Sequence, residues 1–339
     1  MSGLSRRTQV RIRFADDPDS LTIRVLLNTP FKATGPVPTL LHVGFSPNVL
    51  VLDEAGIDEG FAWSPTLQAR IPDRDARPLV GFDPKDMVQR GYGIATVYYG
   101  DIDPDFDHGG KYGIRTLFRR PSDKPEPRKP DEWGAIGAWS WGLGRVLDYL
   151  QTDPAVDGKR VAVSGVSRLG KAVLWAGAQD QRFAMVVPIL SGEGGASISR
   201  RNFGETVADL TKPSRYDYWY APRYADHAFD VERMPVDGHM LLSLIAPRPV
   251  LLIVGSEDTW SDPRGEFVAA SAAAPVYALY GKRGLNTAEY PKPDTALIDG
   301  DLAFFIHAGG HRTLPIDFKV IADFMDRHFA DPDPDRYSK

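Results

Sequence analysis

The sequence predicts an α/β fold with a mostly parallel central sheet. Short apolar runs typical of buried strands alternate with helix-like segments from about residue 85 onward. The apolar runs at residues 93–99 and 160–164 flank one such segment, residues 133–150, whose apolar side chains recur at helical spacing. Parallel strands joined by crossover helices place helices on both faces of the sheet. We therefore expect a three-layer αβα sandwich with loop insertions.

The first part of the chain contains three predicted strands and two long loops. Residues 11–14 and 21–27 alternate apolar and polar side chains, as edge strands do, whereas residues 39–45 are continuously apolar, as buried strands are. Residues 47–84 are polar and contain prolines, which predicts mostly loop, and residues 100–129 are rich in Asp, Pro and Gly, which predicts a loop. Asp131 is a candidate N-cap for the helix that follows.

The second part continues the alternation of strands and helices. Further strands are predicted at residues 185–190, at an apolar run ending at Gly255 and at residues 302–307, with helices through Gln179, at 265–274 and at 316–329. Residues 200–237 have few apolar runs and many aromatic residues and prolines, which indicates a cap-like insertion. No internal repeat or linker is evident, so we expect residues 1–339 to form one domain.

Composition excludes several classes of function. The 339 residues are 42% hydrophobic and 25% charged, enough for a sizeable core. The formal net charge is −5 without a basic block, so we expect no nucleic-acid partner. The absence of cysteine excludes disulfides, thiolate nucleophiles and cysteine-ligated metals. No apolar run approaches the ~20 residues that span a bilayer, so we expect no membrane partner. The start of the chain shows no secretory signal, which is compatible with a cytoplasmic protein or with a mature exported form.

Three side chains with complementary chemistry follow three predicted strands. Ser167 follows the strand at 160–164, Asp258 follows the strand ending at Gly255, and His311 follows the last strand. Serine needs a base to remove its proton, imidazole can be that base, and a carboxylate holds the imidazole in the required tautomer. The order Ser, Asp, His is that of the α/β-hydrolase fold, in which the serine lies on a strand-to-helix elbow.

Each of these residues also has a structural interpretation. Ser167 could be a helix N-cap, Asp258 could cap the next helix, and His311 could be an ordinary loop histidine. The three together, in this order, favour a catalytic triad. The elbow departs from the G-x-S-x-G pattern, because Leu169 occupies the place of the second glycine and Gly170 follows it.

The elbow sequence G-V-S-R-L-G-K resembles that of the glucuronoyl esterases, carbohydrate esterase family 15. The segments R-G-Y-G-I-A-T-V-Y-Y-G-D-I-D-P-D-F, D-E-W-G-A-I-G-A-W-S-W-G and S-G-E-G-G-A-S-I-S-R-R are also similar to that family, and the resemblance extends over about residues 20–330. It implies a serine esterase without metal or cofactor. The implied substrate is the ester between 4-O-methyl-glucuronic acid on xylan and an alcohol of lignin.

The resemblance also implies roles for six residues. They are Ser167 as nucleophile, His311 as base, Arg168 as oxyanion stabiliser, and Lys171, Glu205 and Trp260 as sugar-binding residues. These types suit a sugar, whose hydroxyls need polar partners and whose C–H faces need an aromatic surface. The alternative interpretations are surface charges for Lys171 and Glu205 and core packing for Trp260.

The acid of the triad is where members of the family differ. Many carry a glutamate just before S-G, but here that position is Leu190, and Glu193 follows three residues later. Other members place the acid where this chain has Asp258, which we therefore predict. Glu257 and Asp262 are the alternatives, although Asp262 precedes a proline and is expected to shape the turn.

Three functional hypotheses follow. The first is a glucuronoyl esterase acting on glucuronoxylan, a lignin–carbohydrate ester or a small glucuronate ester. The second is a broader carbohydrate or acetyl xylan esterase. The third is a non-catalytic carbohydrate-binding protein on a hydrolase fold. The resemblance implies a secreted or periplasmic protein, and the missing signal leaves a cytoplasmic location as the alternative; a monomer is expected.

Overall fold

A nine-stranded sheet organises the computed structural model, which describes residues 1, 3–15, 21–52, 54–78, 84–118 and 127–329. The strands are β1 (Ser5–Arg13), β2 (Thr22–Pro30), β3 (Val37–Gly44), β4 (Phe61–Ser64), β5 (Ala69–Pro72), β6 (Gly93–Tyr98), β7 (Val156–Val166), β8 (Met185–Ile189), β9 (Val250–Gly255), β10 (Thr295–Leu297) and β11 (Leu302–His307). The helices are α1 (Asn48–Val51), α2 (Pro84–Gln89), α3 (Ala135–Leu150), α4 (Arg168–Gln179), α5 (Val207–Leu210), α6 (Gly238–Ser243), α7 (Pro263–Leu279) and α8 (Pro315–Phe329).

The strand order is β1-β2-β6-β3-β7-β8-β9-β11-β10. The six strands from β6 to β11 in this order are parallel, and antiparallel pairs occur only at its two ends, among the described residues. The predicted mostly parallel sheet is confirmed. Because the carboxyl ends of parallel strands share one edge, the turns after β7, β9 and β11 can meet there.

Helices cover both faces of the sheet, as predicted for three layers. Successive residues of one strand belong to different cores: Val163 and Leu252 pack with α3, α4 and α7, whereas Ala162 and Leu251 pack with α2 and α8. This division follows from the strand geometry, in which neighbouring side chains point to opposite faces. Both faces are apolar, so β3, β6, β8, β9 and β11 are buried throughout, as are residues 161–165 of β7.

The start of α3 corrects the prediction for Asp131. The helix begins at Ala135, and its N-cap is Gly134 rather than Asp131. A Cβ at Gly134 would lie 2.2 Å from the backbone carbonyl of Trp219, so the close approach of that segment determines where the helix begins. A side-chain cap is absent here because tertiary packing overrides the local signal.

The two predicted loops and the expected cap contain local structure. Residues 47–84, predicted to be mostly loop, also contain the antiparallel pair β4–β5, whose strands have four residues each, too few for a clear periodic signal. The part of the second loop at 119–126 lies outside the described residues. Residues 200–237 contain α5 and several short helical turns, and that they act as a cap stays a prediction.

Candidate active site

The elbow between β7 and α4 holds Ser167 in a strained backbone conformation. Its φ is 58° and its ψ is −124°, a region that non-glycine residues rarely occupy. Its N–H donates to the carbonyl oxygen of Ile189 at 2.7 Å, which fixes the turn. A Cβ at Gly165 would lie 2.7 Å from the carbonyl oxygen of Leu169, and one at Gly170 would lie 3.0 Å from that of Ile189. Both glycines therefore allow the close approach of helix and strand.

Ser167, His311 and Asp258 form a continuous hydrogen-bonded chain. Nε2 of His311 lies 2.9 Å from Oγ of Ser167, and Nδ1 of His311 lies 2.7 Å from Oδ2 of Asp258. Both distances are normal for hydrogen bonds, and the order of groups is that of a nucleophile, a base and an orienting acid. The structure thus brings together the three residues that the sequence singled out.

Asp258 is held as a carboxylate in a buried position. Its side chain is 2% exposed, and its Oδ1 accepts the N–H of Ser261 at 3.2 Å. Burial by itself would raise the pKa of Asp258, but the hydrogen bonds from His311 and Ser261 outweigh burial and lower it. The hydroxyl of Ser261 also lies 3.1 Å from Nδ1 of His311, a contact that could not be expected from the sequence.

The alternative acids point elsewhere. Asp262 caps α7 by accepting the N–H of Gly265 at 3.0 Å and binds Arg201 at 2.7 Å, so it shapes the turn as expected. Glu257 is exposed. Glu193 is buried and accepts hydrogen bonds from Ser199 and Tyr224 at 2.6 and 2.8 Å. None of the three contacts His311.

His307 is an unsuitable base, because it is fully buried beside Asp317. Its Nδ1 lies 2.7 Å from Oδ1 of Asp317, and neither side chain is exposed. Burial would lower the pKa of His307, but the Asp317 carboxylate raises it. This pair joins the end of β11 to α8 and leaves His311 as the histidine in contact with Ser167.

The guanidinium of Arg168 is held in place by Asp105 and Trp219. It forms an ion pair with Oδ2 of Asp105 and lies 4.6 Å from the ring centroid of Trp219. Oδ1 of Asp105 accepts hydrogen bonds from Nε1 of Trp219 at 2.7 Å and from the hydroxyl of Tyr218 at 3.0 Å. These contacts fix a cation beside the elbow. Sequence reasoning did not assign these supporting roles.

The alternating aspartates of D-I-D-P-D-F-D, residues 101–107, are the sequence feature that could have indicated a carboxylate partner for Arg168. Asp101 binds Arg24 at 2.8 Å, Asp103 binds Arg115 at 2.7 Å, and Asp105 binds Arg168. The loop therefore serves as a series of arginine partners. Among the described residues, no group of three or more His, Asp or Glu side chains is arranged to hold a metal.

The predicted sugar-binding residues lie together, but two of them are buried. Nζ of Lys171 donates to Oε2 of Glu205 at 2.7 Å and to the carbonyl oxygen of Ser191 at 2.6 Å, and the two side chains are 3% and 5% exposed. The N–H of Glu205 donates to the carbonyl oxygen of Trp260 at 2.6 Å. Trp260 is 37% exposed, with the Arg215 guanidinium 5.3 Å from its ring centroid. Their roles toward a sugar stay predictions.

Glu266 is a buried acid that sequence reasoning missed. Its Oε1 accepts the N–H of Gly192 at 2.7 Å and the hydroxyl of Ser191 at 3.1 Å, beneath the segment that also binds Lys171. Complete burial raises the pKa of Glu266 to about 8, despite these hydrogen bonds. It lies within α7 and braces the loop after β8, but it does not touch the triad.

Comparison with known proteins shows which family the chain is similar to. Residues 128–281 match the glucuronyl esterase family of fungi. Over 337 residues the chain is 37% identical to carbohydrate esterase MZ0003 from an unknown prokaryotic organism, a match that covers 97% of this chain and 77% of that relative.

Solved structures are similar over nearly the whole chain. A glucuronoyl esterase from Solibacter usitatus is 38% identical with a TM-score of 0.91, covering 97% of this chain and 83% of that one. A promiscuous CE15 esterase from a marine bacterial metagenome is 35% identical with a TM-score of 0.86, covering 97% and 82%. The likeness confirms the predicted α/β-hydrolase fold. The chain therefore belongs to the glucuronoyl esterases of carbohydrate esterase family 15.

Proposed function

We propose that this protein hydrolyses esters of glucuronic acid or 4-O-methyl-glucuronic acid through an acyl-enzyme on Ser167. The observation that carries the proposal is the hydrogen-bonded chain Ser167–His311–Asp258 on a strained elbow in a member of this family. These three hydrogen-bonded residues are the groups that acyl transfer needs, because the histidine must act first as a base and then as an acid.

In the first half of the reaction, Oγ of Ser167 attacks the ester carbonyl carbon while its proton passes to Nε2 of His311. The tetrahedral intermediate then breaks its bond to the alcohol oxygen, which takes the proton from His311 and leaves. In the second half, water gives a proton to His311 and attacks the acyl-enzyme, and Ser167 regains a proton as the uronic acid leaves. Asp258 stabilises the imidazolium that forms in each half.

Arg168 is placed to stabilise the negative oxygen of both tetrahedral intermediates. Its N–H lies in the first turn of α4, where it has no partner within the helix. Its guanidinium is fixed by Asp105, so little reorganisation is needed as charge develops. This arrangement supplies donors without the glycine-rich donor loop of lipases.

The substrate is proposed to be a uronate ester of glucuronoxylan, including its ester links to lignin. The Lys171–Glu205 pair and the exposed face of Trp260 supply charged and aromatic groups of the kinds that bind sugars. A broader carbohydrate esterase is the second candidate, supported by the promiscuity described for the structural relative from the marine metagenome.

The test compares hydrolysis of benzyl glucuronate with that of an acetyl ester by wild type, Ser167→Ala and the matched control Ser271→Ala, which lies in α7. We expect preferential cleavage of the uronate ester by wild type and the control, and none by Ser167→Ala. Cleavage of the acetyl ester alone would favour the broader esterase. A lack of cleavage of both esters, with retained sugar binding, would favour a non-catalytic binding protein.

A further inference from the structure

A cavity of about 480 Å³ lies beside the first strands of the sheet, and no residue of the triad lines it. Its volume is within the range of small-ligand sites, roughly 300–1,000 Å³. Four arginines line it: Arg11, Arg13, Arg24 and Arg70. Such a concentration of guanidinium groups in one cavity is notable in a chain with a net charge of −5.

The carboxylates of the cavity are already paired. Asp101 accepts hydrogen bonds from Nε and Nη2 of Arg24, both at less than 3.0 Å, and the Arg24 side chain is only 18% exposed. Glu59 lies 2.7 Å from the guanidinium of Arg74. Asp73 also binds Arg24, so this guanidinium is held between two carboxylates and is not available to a ligand.

Two of the lining arginines are free to bind an anion. Within the residues that the structure describes, neither Arg13 nor Arg70 has a carboxylate partner, and both are exposed. The guanidinium of Arg70 instead lies 5.3 Å from the ring centroid of Trp63. Because a guanidinium binds a carboxylate with two parallel hydrogen bonds, these side chains suit a carboxylate ligand.

Three aromatic side chains, Phe61, Trp63 and Tyr112, also line the cavity. Phe61 and Tyr112 are 58% and 41% exposed, and the rings of Trp63 and Tyr112 lie 5.0 Å apart. Aromatic faces pack against the C–H faces of sugars, whereas a small inorganic anion needs no such surface. Arginines and aromatic rings in one cavity therefore favour a ligand that is both a sugar and an acid.

The cavity is connected to the active site by one short segment of chain. Asp101 and Tyr112 line the cavity, while Asp105 between them binds Arg168 at the elbow. Phe106 packs against Trp63 with ring centroids 5.6 Å apart. The cavity therefore lies on the same side of the sheet edge as Ser167.

We propose that this cavity is a second saccharide site, which binds a free uronate residue of the substrate chain through Arg13 and Arg70. The choice of a uronate among carboxylate sugars rests on the proposed function, in which the substrate is a glucuronoxylan. Binding there holds the polysaccharide beside the catalytic site without taking part in the reaction.

The experiment uses 19F NMR of the full chain labelled with 5-fluorotryptophan. Trp63 reports on the cavity and Trp260 on the catalytic side, and each resonance is assigned by its loss in Trp63→Phe or Trp260→Phe. The probe is a xylo-oligosaccharide with one free glucuronate, and an undecorated xylo-oligosaccharide of equal length is the neutral comparison. The probe contains no ester, so the titration needs no turnover.

We expect the Trp63 resonance of wild type to shift on titration with the acidic probe and to saturate. In the double variant Arg13→Ser/Arg70→Ser, the dissociation constant read at Trp63 should rise about tenfold or more, because two charge-assisted contacts are lost. The control double variant Arg6→Ser/Arg233→Ser removes two exposed arginines outside the cavity and should bind as wild type does.

Three results would overturn the proposal. They are a Trp63 resonance that stays unchanged in wild type, equal affinity for the neutral oligosaccharide, and an unchanged dissociation constant in Arg13→Ser/Arg70→Ser. Unchanged positions of the other tryptophan resonances show that the variants are folded. A failure to hydrolyse benzyl glucuronate would overturn the proposed function and leave the Trp63 titration standing.

Discussion

Replacing Asp258 with asparagine should leave the active site assembled but hold His311 in the wrong tautomer. Oδ1 of Asp258 accepts the N–H of Ser261, and Oδ2 faces Nδ1 of His311. In Asp258→Asn the amide oxygen keeps the bond to Ser261, so the NH2 group faces Nδ1. Nδ1 then becomes an acceptor and the proton moves to Nε2, which can no longer accept the proton of Ser167.

The size of the effect follows from this geometry. A triad with the wrong tautomer loses about 10⁴ in kcat, or about 5 kcal/mol of transition-state stabilisation. In Asp258→Ala no NH2 group faces Nδ1, and the hydroxyl oxygen of Ser261, 3.1 Å from Nδ1, can accept a hydrogen bond from the Nδ1–H and so preserve the correct tautomer. We therefore expect Asp258→Ala to lose less, about 10²–10³, and Ser261→Ala to remove this residual activity in the Asp258→Ala background.

The assay is kcat and KM for benzyl glucuronate hydrolysis by wild type, Asp258→Asn, Asp258→Ala and Asp258→Ala/Ser261→Ala. Urea unfolding of each variant separates a catalytic loss from a loss of fold. If Asp258→Asn is as active as Asp258→Ala or more active, the tautomer of His311 does not limit the rate. If Asp258→Asn stays within tenfold of wild type, another residue is the acid.

Three further predictions concern the buried groups around the site. Burial raises the pKa of Glu266 to about 8, so its protonated form stabilises the folded state. The free energy of unfolding should therefore fall as the pH rises from 4.5 to 8, by up to about 1.4 kcal/mol per pH unit. In urea titrations, Glu266→Gln should remove this fall. Lys171→Met leaves Glu205 buried without a cation and should destabilise by about 3–5 kcal/mol in urea unfolding, more than Lys171→Met/Glu205→Gln does. Gly165→Ala places a Cβ 2.7 Å from the carbonyl oxygen of Leu169 and should lower stability by about 1–3 kcal/mol, together with kcat.

Each prediction has a matched control and a contradicting result. Glu257→Gln removes an exposed acid and should keep the pH dependence of the free energy of unfolding. If this free energy depends on pH equally in Glu266→Gln and wild type, Glu266 is not the group that titrates. A double variant less stable than Lys171→Met would show that the pair is not the dominant interaction. Gly144→Ala lies in α3, where the nearest atom to the new Cβ is 3.5 Å away, and should not destabilise. An equally stable Gly165→Ala would mean that the elbow can relax.

The sequence alone determined the parallel sheet and the three residues of the hydrogen-bonded chain. Buried strands leave continuous apolar runs, and the residues that follow those runs lie at one edge of a parallel sheet. Ser167, Asp258 and His311 could be found for that reason, because each lies within four residues of the end of its strand. The resemblance to one family added the substrate class, which local patterns do not contain.

The tertiary structure decided which side chains meet. Arg168 and Asp105 are 63 residues apart, and Lys171 and Glu205 are 34 apart, so neither pair leaves a local periodic signal. The helix start at Gly134 likewise depends on the backbone of a distant segment rather than on a nearby cap.

The identity of the triad acid also depended partly on the sequence and partly on the tertiary structure. The sequence narrowed it to residues 257–262 and preferred Asp258, but the direction of each carboxylate depends on the turn after β9. In that turn Asp262 points to α7 and Asp258 points to His311. Periodicity reports which face of an element is buried, whereas partner choice depends on side-chain directions and distances that exist only once the chain has folded.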